Sequence, residues 1–190
     1  MSNLEKAIKI LNSGGIVIFP TDTAFGIGCR IDNEESIKRL FKIRKRPENK
    51  PSPVLVSSIS MAEDYVSELP DNVRNLMEKY WPGGITIILK GNNKVSELVS
   101  ARTQTIGLRM PDNQAALSLI EGIGVPILGP SANFSGKETP FVFEEIDPEL
   151  VRLADYVLEG KTKSEHLVST VIDCINKDWK ILREGVVKLK

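Results

Sequence analysis

Strand-like apolar runs alternate with helical patterns along almost the whole chain, and this alternation limits the fold more than any other feature. Residues 4–11 carry apolar side chains at helical spacing, and Gly14-Gly15 ends that segment. The run Ile16 to Phe19 that follows is rich in β-branched residues and stops at Pro20. Because helices and strands mix in this way throughout, the sequence predicts a single α/β (α+β) domain over residues 1–190 with a mixed sheet.

The remaining helices and strands are predicted from caps, breakers and periodicity. In chain order they are a helix capped by Asn33, a strand at 54–56, a helix opened by a Ser60–Glu63 capping box, a helix from Pro70 to Tyr80, strands at 85–89 and 105–110, a helix from Asp112 to about Glu121, a strand at 125–128, a helix with Asp147 as its N-cap, and strands at 169–173 and 179–182.

Composition excludes several classes of protein. Two distant cysteines are too few for a disulfide framework or a zinc site, and we expect two buried thiols. One histidine, His166, has no nucleophile signature beside it, which argues against a serine or cysteine triad. No apolar run approaches the roughly 20 residues that cross a bilayer, and no signal peptide is evident, so we expect a cytoplasmic protein without a membrane partner.

The net charge is zero, but the cations are unevenly spread. The segment from Lys42 to Lys50, called the basic window below, holds five cations (Lys42, Arg44, Lys45, Arg46, Lys50) and one acid, Glu48. Such a cluster on an otherwise acidic chain is a candidate anion site, although cations also favour the solvated C-terminal end of a helix. Because no Walker or Rossmann glycine pattern is present, any ATP must be bound in another way.

Four polar segments follow predicted strands or interrupt them, and each alone could be an ordinary turn or surface arginine. They are Pro20 to Gly26, the rigid basic turn 44–51, the small-residue loop 129–136, and a scattered set made of Arg109, Ser169-Thr170 and Arg183. Small residues let main-chain amides approach a ligand closely, and arginine can bind a carboxylate through two parallel hydrogen bonds. Together these segments favour an anion-binding site.

In order and approximate spacing the motifs resemble the YrdC/Sua5 family from about Gly14 to Gly185. The motifs are Pro-Thr-Asp-Thr at 20–23, basic-x-Arg-Pro-x-x-Lys-Pro at 44–51, Trp-Pro-Gly at 81–83, Arg-x-Pro at 109–111, Pro-Ser-Ala-Asn-x-Ser-Gly at 130–136, Ser-Thr-Val-Ile-Asp at 169–173 and Arg-x-Gly at 183–185. The resemblance implies an open, twisted sheet around a concave, basic cavity. It also implies the short type of family member, without the C-terminal domain of longer relatives.

The resemblance also implies an activity and assigns residues to it. The implied enzyme makes L-threonylcarbamoyladenylate and pyrophosphate from L-threonine, bicarbonate and ATP with Mg²⁺, and a separate transferase complex then modifies adenosine 37 of tRNA. ATP contacts are expected from Arg44, Arg46, Lys50, Thr105, Ser131, Asn133, Thr139 and Arg183, with Arg46 and Lys50 as catalytic residues; threonine contacts are expected from Thr23, Arg109 and Ser169. No protein-bound metal site is expected.

Some positions depart from the family's usual residues, and two other functions stay open. The departures are Arg44 for Lys, Phe25 for Tyr, Ser52 for Leu, Gly84-Ile85 for Pro-Leu and Asn113-Gln114 for His-Pro. The domain also occurs in longer enzymes that transfer carbamoyl groups during hydrogenase maturation, whose extra regions this sequence lacks. The other alternative is an RNA-binding protein without synthase activity, in which the basic window holds phosphates; weak tRNA binding could also accompany synthesis.

Overall fold

The computed structural model describes residues 1–163 and 166–189, so three positions of the predicted domain 1–190 lie outside it. That these residues form a single domain stays a prediction. The helices are α1 (Asn3–Asn12), α2 (Glu34–Ile43), α3 (Ile59–Glu63), α4 (Asp71–Tyr80), α5 (Glu97–Ser100), α6 (Gln114–Ile123) and α7 (Pro148–Leu153), with one 3₁₀ turn at Phe143–Glu145. The strands are β1 (Val17–Pro20), β2 (Phe25–Arg30), β3 (Val54–Leu55), β4 (Ile85–Lys90), β5 (Thr105–Arg109), β6 (Ile127–Leu128), β7 (Tyr156–Val157), β8 (Thr170–Asp173) and β9 (Lys180–Arg183).

The strands form one open sheet in the order β7-β1-β2-β6-β3-β5-β4-β8-β9. Parallel pairs (β1 with β7, β3 with β5, β4 with β8) occur beside antiparallel ones, so the predicted mixed sheet is confirmed. Strands distant in sequence thus become neighbours, and the polar segments that follow or interrupt them are brought together.

Both faces of the sheet are covered by helices. Strand β1 and the residue before it show this directly, because Val17 and Phe19 pack with α1 and α6, while Ile16 and Ile18 face the larger core that includes α2 and α4. The side chains of one strand point alternately to opposite faces. A continuous apolar run such as residues 16–19 is therefore what a strand buried on both sides requires.

Most predicted elements are confirmed, with differences that have local causes. Strand β2 was not predicted, because two glycines break its apolar pattern; a Cβ on Gly28 would lie 2.6 Å from the Leu128 carbonyl oxygen of the neighbouring strand. The Ser60 capping box was wrong: Ser58 is the N-cap of α3 and accepts the Met61 N–H. The short elements α5 and β7 were also missed, since two to four residues carry no periodic signal.

Candidate functional site: a basic cavity across the sheet

One cavity of about 330 Å³ lies where the loops after β1 and β6, the basic window and strands β4, β5 and β8 converge. Among the described residues that line it, four are arginines (Arg44, Arg46, Arg109, Arg183) and none is acidic. Hydroxyl groups and small main-chain segments supply most of the other polar surface. The predicted concave basic cavity is therefore present, and its charge suits an anionic ligand.

Nine of the eleven predicted site residues line this cavity: Thr23, Arg44, Arg46, Thr105, Arg109, Ser131, Thr139, Ser169 and Arg183. Asn133 lies behind the wall and contacts two of the lining side chains. Lys50 is exposed and does not line the cavity. The ligand contacts themselves stay predictions, but segments more than 150 residues apart in sequence meet at one place.

Arg109, at the end of β5, is held by three groups. Its Nη2 donates to Asp22 Oδ1 at 2.5 Å, its Nη1 to Thr23 Oγ1 at 2.9 Å and its Nε to the Gly83 carbonyl at 3.2 Å. Arg109 is only 6% exposed, and this burial lowers the pKa of its guanidinium although Asp22 opposes the shift. Three of the five guanidinium N–H groups of Arg109 thus donate to protein groups. A carboxylate ligand would therefore accept hydrogen bonds from the other two.

The Pro20–Gly26 turn positions Thr23 beside this arginine. Its internal bonds centre on Thr21 Oγ1, which donates to the Ala24 carbonyl and accepts the N–H groups of Thr23 and Ala24. Thr23 Oγ1 accepts a bond from Arg109 and also lies 3.3 Å from Thr21 Oγ1. Because Thr21 donates its own hydrogen to the Ala24 carbonyl, Thr23 is the donor in that contact. The turn therefore holds the Thr23 hydroxyl beside Arg109 in the cavity wall.

Arg44 connects the basic window to the small-residue loop. Its Nε donates to the Asn133 carbonyl and its Nη2 to Asn133 Oδ1, both at 3.1 Å, and Ser131 donates to the same Oδ1 at 2.6 Å. Burial and the nearby charge of Arg46 lower the pKa of Arg44 to about 10. Since Asn133 binds two cavity-lining side chains at once, it fixes the loop that carries Ser131.

The basic window divides between the cavity and the outer surface. Arg46 lines the cavity, and it donates from Nε to the Lys50 carbonyl at 3.3 Å and from Nη2 to the Pro51 carbonyl at 2.6 Å. Lys50 therefore supports the site through its main chain. Lys45 turns away: its ammonium lies 3.7 Å from Glu149 and 4.4 Å from the centre of the Phe134 ring.

Ser169 and Arg183 form the opposite side of the cavity. Arg183 donates from Nε to the Ser169 carbonyl and from Nη2 to Ser169 Oγ, both at 3.0 Å, and burial lowers the Arg183 pKa. Ser169 Oγ also lies 3.0 Å from Thr86 Oγ1. Gly185 permits this packing, because a Cβ there would lie 2.2 Å from the Val168 carbonyl oxygen.

The sequence interpretation missed several residues of the site. Asp22 was quoted within a motif but given no role, although its carboxylate is only 7% exposed and pairs with Arg109. Thr86 and Ser52 also line the cavity. A single threonine inside the apolar strand β4 was a usable signal, since a polar side chain in a buried strand needs a partner.

Two further observations bear on ligands and surroundings. Within residues 1–163 and 166–189, no group of three or more His, Cys, Asp or Glu side chains could hold a metal ion. No helix in that part of the chain is both long enough and apolar enough to cross a membrane.

The fold and the site define an α/β domain that presents a basic, hydroxyl-rich cavity across an open sheet. The family described as "Telomere recombination" and named for Sua5, YciO and YrdC matches residues 9–185. The chain therefore belongs to the Sua5/YciO/YrdC family.

Similar proteins include members with and without a named activity. The Bacillus subtilis protein named threonylcarbamoyl-AMP synthase is 33% identical over 96% of this chain and 53% of its own length. The Escherichia coli protein named uncharacterized protein YciO is 32% identical over 98% of this chain and 91% of its own. A crystal structure of Pyrococcus abyssi Sua5 complexed with L-threonine has a TM-score of 0.92 at 30% identity, covering 96% of this chain and 54% of that one. The chain thus spans about half the length of the B. subtilis and P. abyssi relatives.

Proposed function

We propose that this chain is an L-threonylcarbamoyladenylate synthase that forms threonylcarbamoyl-AMP and pyrophosphate from L-threonine, bicarbonate and ATP. The observation that supports this proposal most strongly is that nine residues predicted to contact a ligand line one cavity, and four of the residues lining that cavity are arginines. Relatives that bear the synthase name and the Sua5 complex with L-threonine support the same activity. Its product would supply a separate threonylcarbamoyl-transferase complex that acts on tRNA.

The proposed reaction needs alignment and charge neutralisation rather than a covalent enzyme intermediate. Condensation of the threonine amine with bicarbonate releases water and gives a carbamate, which is itself a carboxylate. An oxygen of that carboxylate attacks the α-phosphorus of ATP, and the bond to the bridging oxygen breaks as pyrophosphate leaves. Holding two anions in line for attack is the main task of the protein, and guanidinium groups with Mg²⁺ carried by the ATP neutralise the departing charge.

The two sides of the cavity suit the two substrates. Thr23, Arg109 and Ser169 offer two hydroxyl groups and two guanidinium N–H groups that have no partner among the described residues, which match the carboxylate and hydroxyl of threonine. Arg44, Arg46 and Ser131 form the wall made by the basic window and the small-residue loop, which we assign to the nucleotide with Arg183. Thr105 and Thr139 belong to the same proposed nucleotide set.

The RNA-binding alternative is less well supported, because the cations of the basic window do not share one surface. An RNA surface requires cations on a shared outer face. Here Arg44 and Arg46 face the cavity, and Lys45 is engaged by Glu149. Of the five cations, only Lys42 and Lys50 have exposed side chains that neither line the cavity nor form an ion pair with a described residue.

Pyrophosphate release tests the proposal. The wild-type protein should release pyrophosphate only when threonine, bicarbonate and Mg-ATP are all present, and omission of any one should abolish the signal. Arg46→Ala should lower turnover by about 10²–10³-fold, as loss of a transition-state donor does. Lys50→Ala should lower it less, because it keeps the main-chain carbonyl that accepts the Arg46 bond. Lys45→Ala is the matched control, since it removes the adjacent cation that faces Glu149. Pyrophosphate release that does not depend on threonine or on bicarbonate would contradict the proposal.

A further inference from the structure

Two buried side-chain atoms lack a hydrogen-bond partner among the described residues: Arg44 Nη1 and Ser52 Oγ. Both residues line the same cavity. Buried polar groups in folded proteins are almost always hydrogen-bonded, because an unsatisfied one loses its hydration without compensation. Their coincidence in one cavity wall therefore points to a ligand that completes both. Arg44 already belongs to the predicted nucleotide contacts, whereas Ser52 has no assigned role.

Ser52 lies between the two segments proposed to hold the nucleotide. It directly follows Lys50 and Pro51, whose carbonyls accept the hydrogen bonds that orient Arg46. The next residue, Pro53, accepts the Gly129 N–H at 2.9 Å and so joins this stretch to the small-residue loop. Ser52 itself is 5% exposed. Ser52 therefore shares with Arg46 a cavity wall that has no acidic member among the described lining residues.

We infer that Ser52 is an additional ligand contact that donates its hydroxyl hydrogen to a phosphate oxygen of the bound nucleotide. A hydroxyl can donate as well as accept, and beside arginines it complements an anionic oxygen. A side chain without a hydroxyl at this position would lack that donor, so we expect Ser52 to strengthen nucleotide binding. This inference rests on the proposed synthase function.

The test measures stability and affinity in the same variant. Ser52→Ala removes a buried hydroxyl that has no hydrogen-bond partner among the described residues, so the melting temperature of the ligand-free protein should stay unchanged or rise. The dissociation constant for Mg-ATP, measured by calorimetry, should increase by about tenfold, as expected when one hydrogen bond to a charged group is lost. The dissociation constant for L-threonine alone should not change.

Ser36→Ala is the matched control. Ser36 is 3% exposed and donates to the Gly14 carbonyl at 2.7 Å away from the cavity lining. Its replacement should lower the melting temperature and leave the Mg-ATP affinity unchanged, which is the reverse of the Ser52→Ala pattern.

The outcomes separate this inference from the proposed function. If the wild-type protein binds Mg-ATP and Ser52→Ala binds it equally well, the inference is wrong and the synthase proposal survives. Weakened threonine binding with unchanged Mg-ATP binding, or a large drop in melting temperature, would also overturn it. Wild-type protein that binds neither Mg-ATP nor threonine would refute both proposals.

Discussion

The Asp22–Arg109 ion pair gives the most demanding prediction about stability. The two side chains are 7% and 8% exposed, so replacing Asp22 by alanine leaves an uncompensated guanidinium in the interior. Removing one partner of a buried pair costs about 3–5 kcal/mol. For a protein of this size each kcal/mol lowers the melting temperature by about 2–4 °C, so Asp22→Ala should lower it by roughly 6–20 °C.

Denaturant unfolding provides the assay, with two controls. The exposed pair Arg74–Glu63, at 35% and 48% exposure, has a similarly short contact of 2.5 Å, and Glu63→Ala should cost much less stability than Asp22→Ala because solvent screens the exposed charges. The double variant Asp22→Leu with Arg109→Met removes both charges and should cost less than the sum of the two single variants. Equal costs for Asp22→Ala and Glu63→Ala, or strict additivity in the double variant, would refute the buried-charge reasoning.

Three other predictions concern acid stability, thiol reactivity and packing. The Arg39 guanidinium and a main-chain N–H lower the pKa of Asp155 below its ordinary 3.8. The stability that this carboxylate contributes is therefore complete above that ordinary value and is lost as the pH falls through the lower folded value, so Asp155→Asn should flatten the acid limb of a stability–pH curve. Burial raises the pKa of Cys29 and of Cys174 to about 12, so neither should be alkylated at pH 8 until the protein unfolds. Gly185→Ala should lower the free energy of unfolding by about 1–3 kcal/mol, because its Cβ would overlap main-chain atoms.

Each of these three predictions would be contradicted by a specific result. An unchanged acid limb in Asp155→Asn would show that the carboxylate does not titrate differently in the folded state. Rapid labelling of Cys29, which is fully buried, would contradict the packing around β2. A Gly185→Ala variant as stable as the wild type would show that the segment after β9 can move away from β8.

The elements that the sequence predicted well carry strong local signals. Helix α1 has a complete capping box between Ser2 and Glu5 and an amphipathic pattern, and β1 is a continuous β-rich run. Strand β2 lacked such a signal, because its glycines are required by close contact with other strands rather than by local preference. The strand order was likewise beyond local reasoning, since it depends on which distant segments pair.

The residues of the candidate site were predictable where a sequence motif specifies the residue type. They were less predictable where packing determines which side chains reach the cavity. Arg46, Ser131 and Arg183 were expected in one place, and the cavity contains all three. Lys50 shows the limit: the motif indicated its charge, whereas the structure gives its carbonyl to Arg46 and leaves its side chain exposed. Ser52 shows the opposite case, because its proposed role rests on burial without a partner among the described residues, which no sequence motif indicates.

Detection of the product by mass spectrometry tests the central claim most directly. The purified protein would be incubated with Mg-ATP, L-threonine and isotopically labelled bicarbonate, with product analysed before hydrolysis. We predict threonylcarbamoyl-AMP that carries the label in its carbamoyl carbon and that forms about 10²–10³-fold more slowly with Arg46→Ala than with the wild-type protein. An adenylate without label, or no adenylate from a folded protein that binds both ATP and threonine, would contradict it.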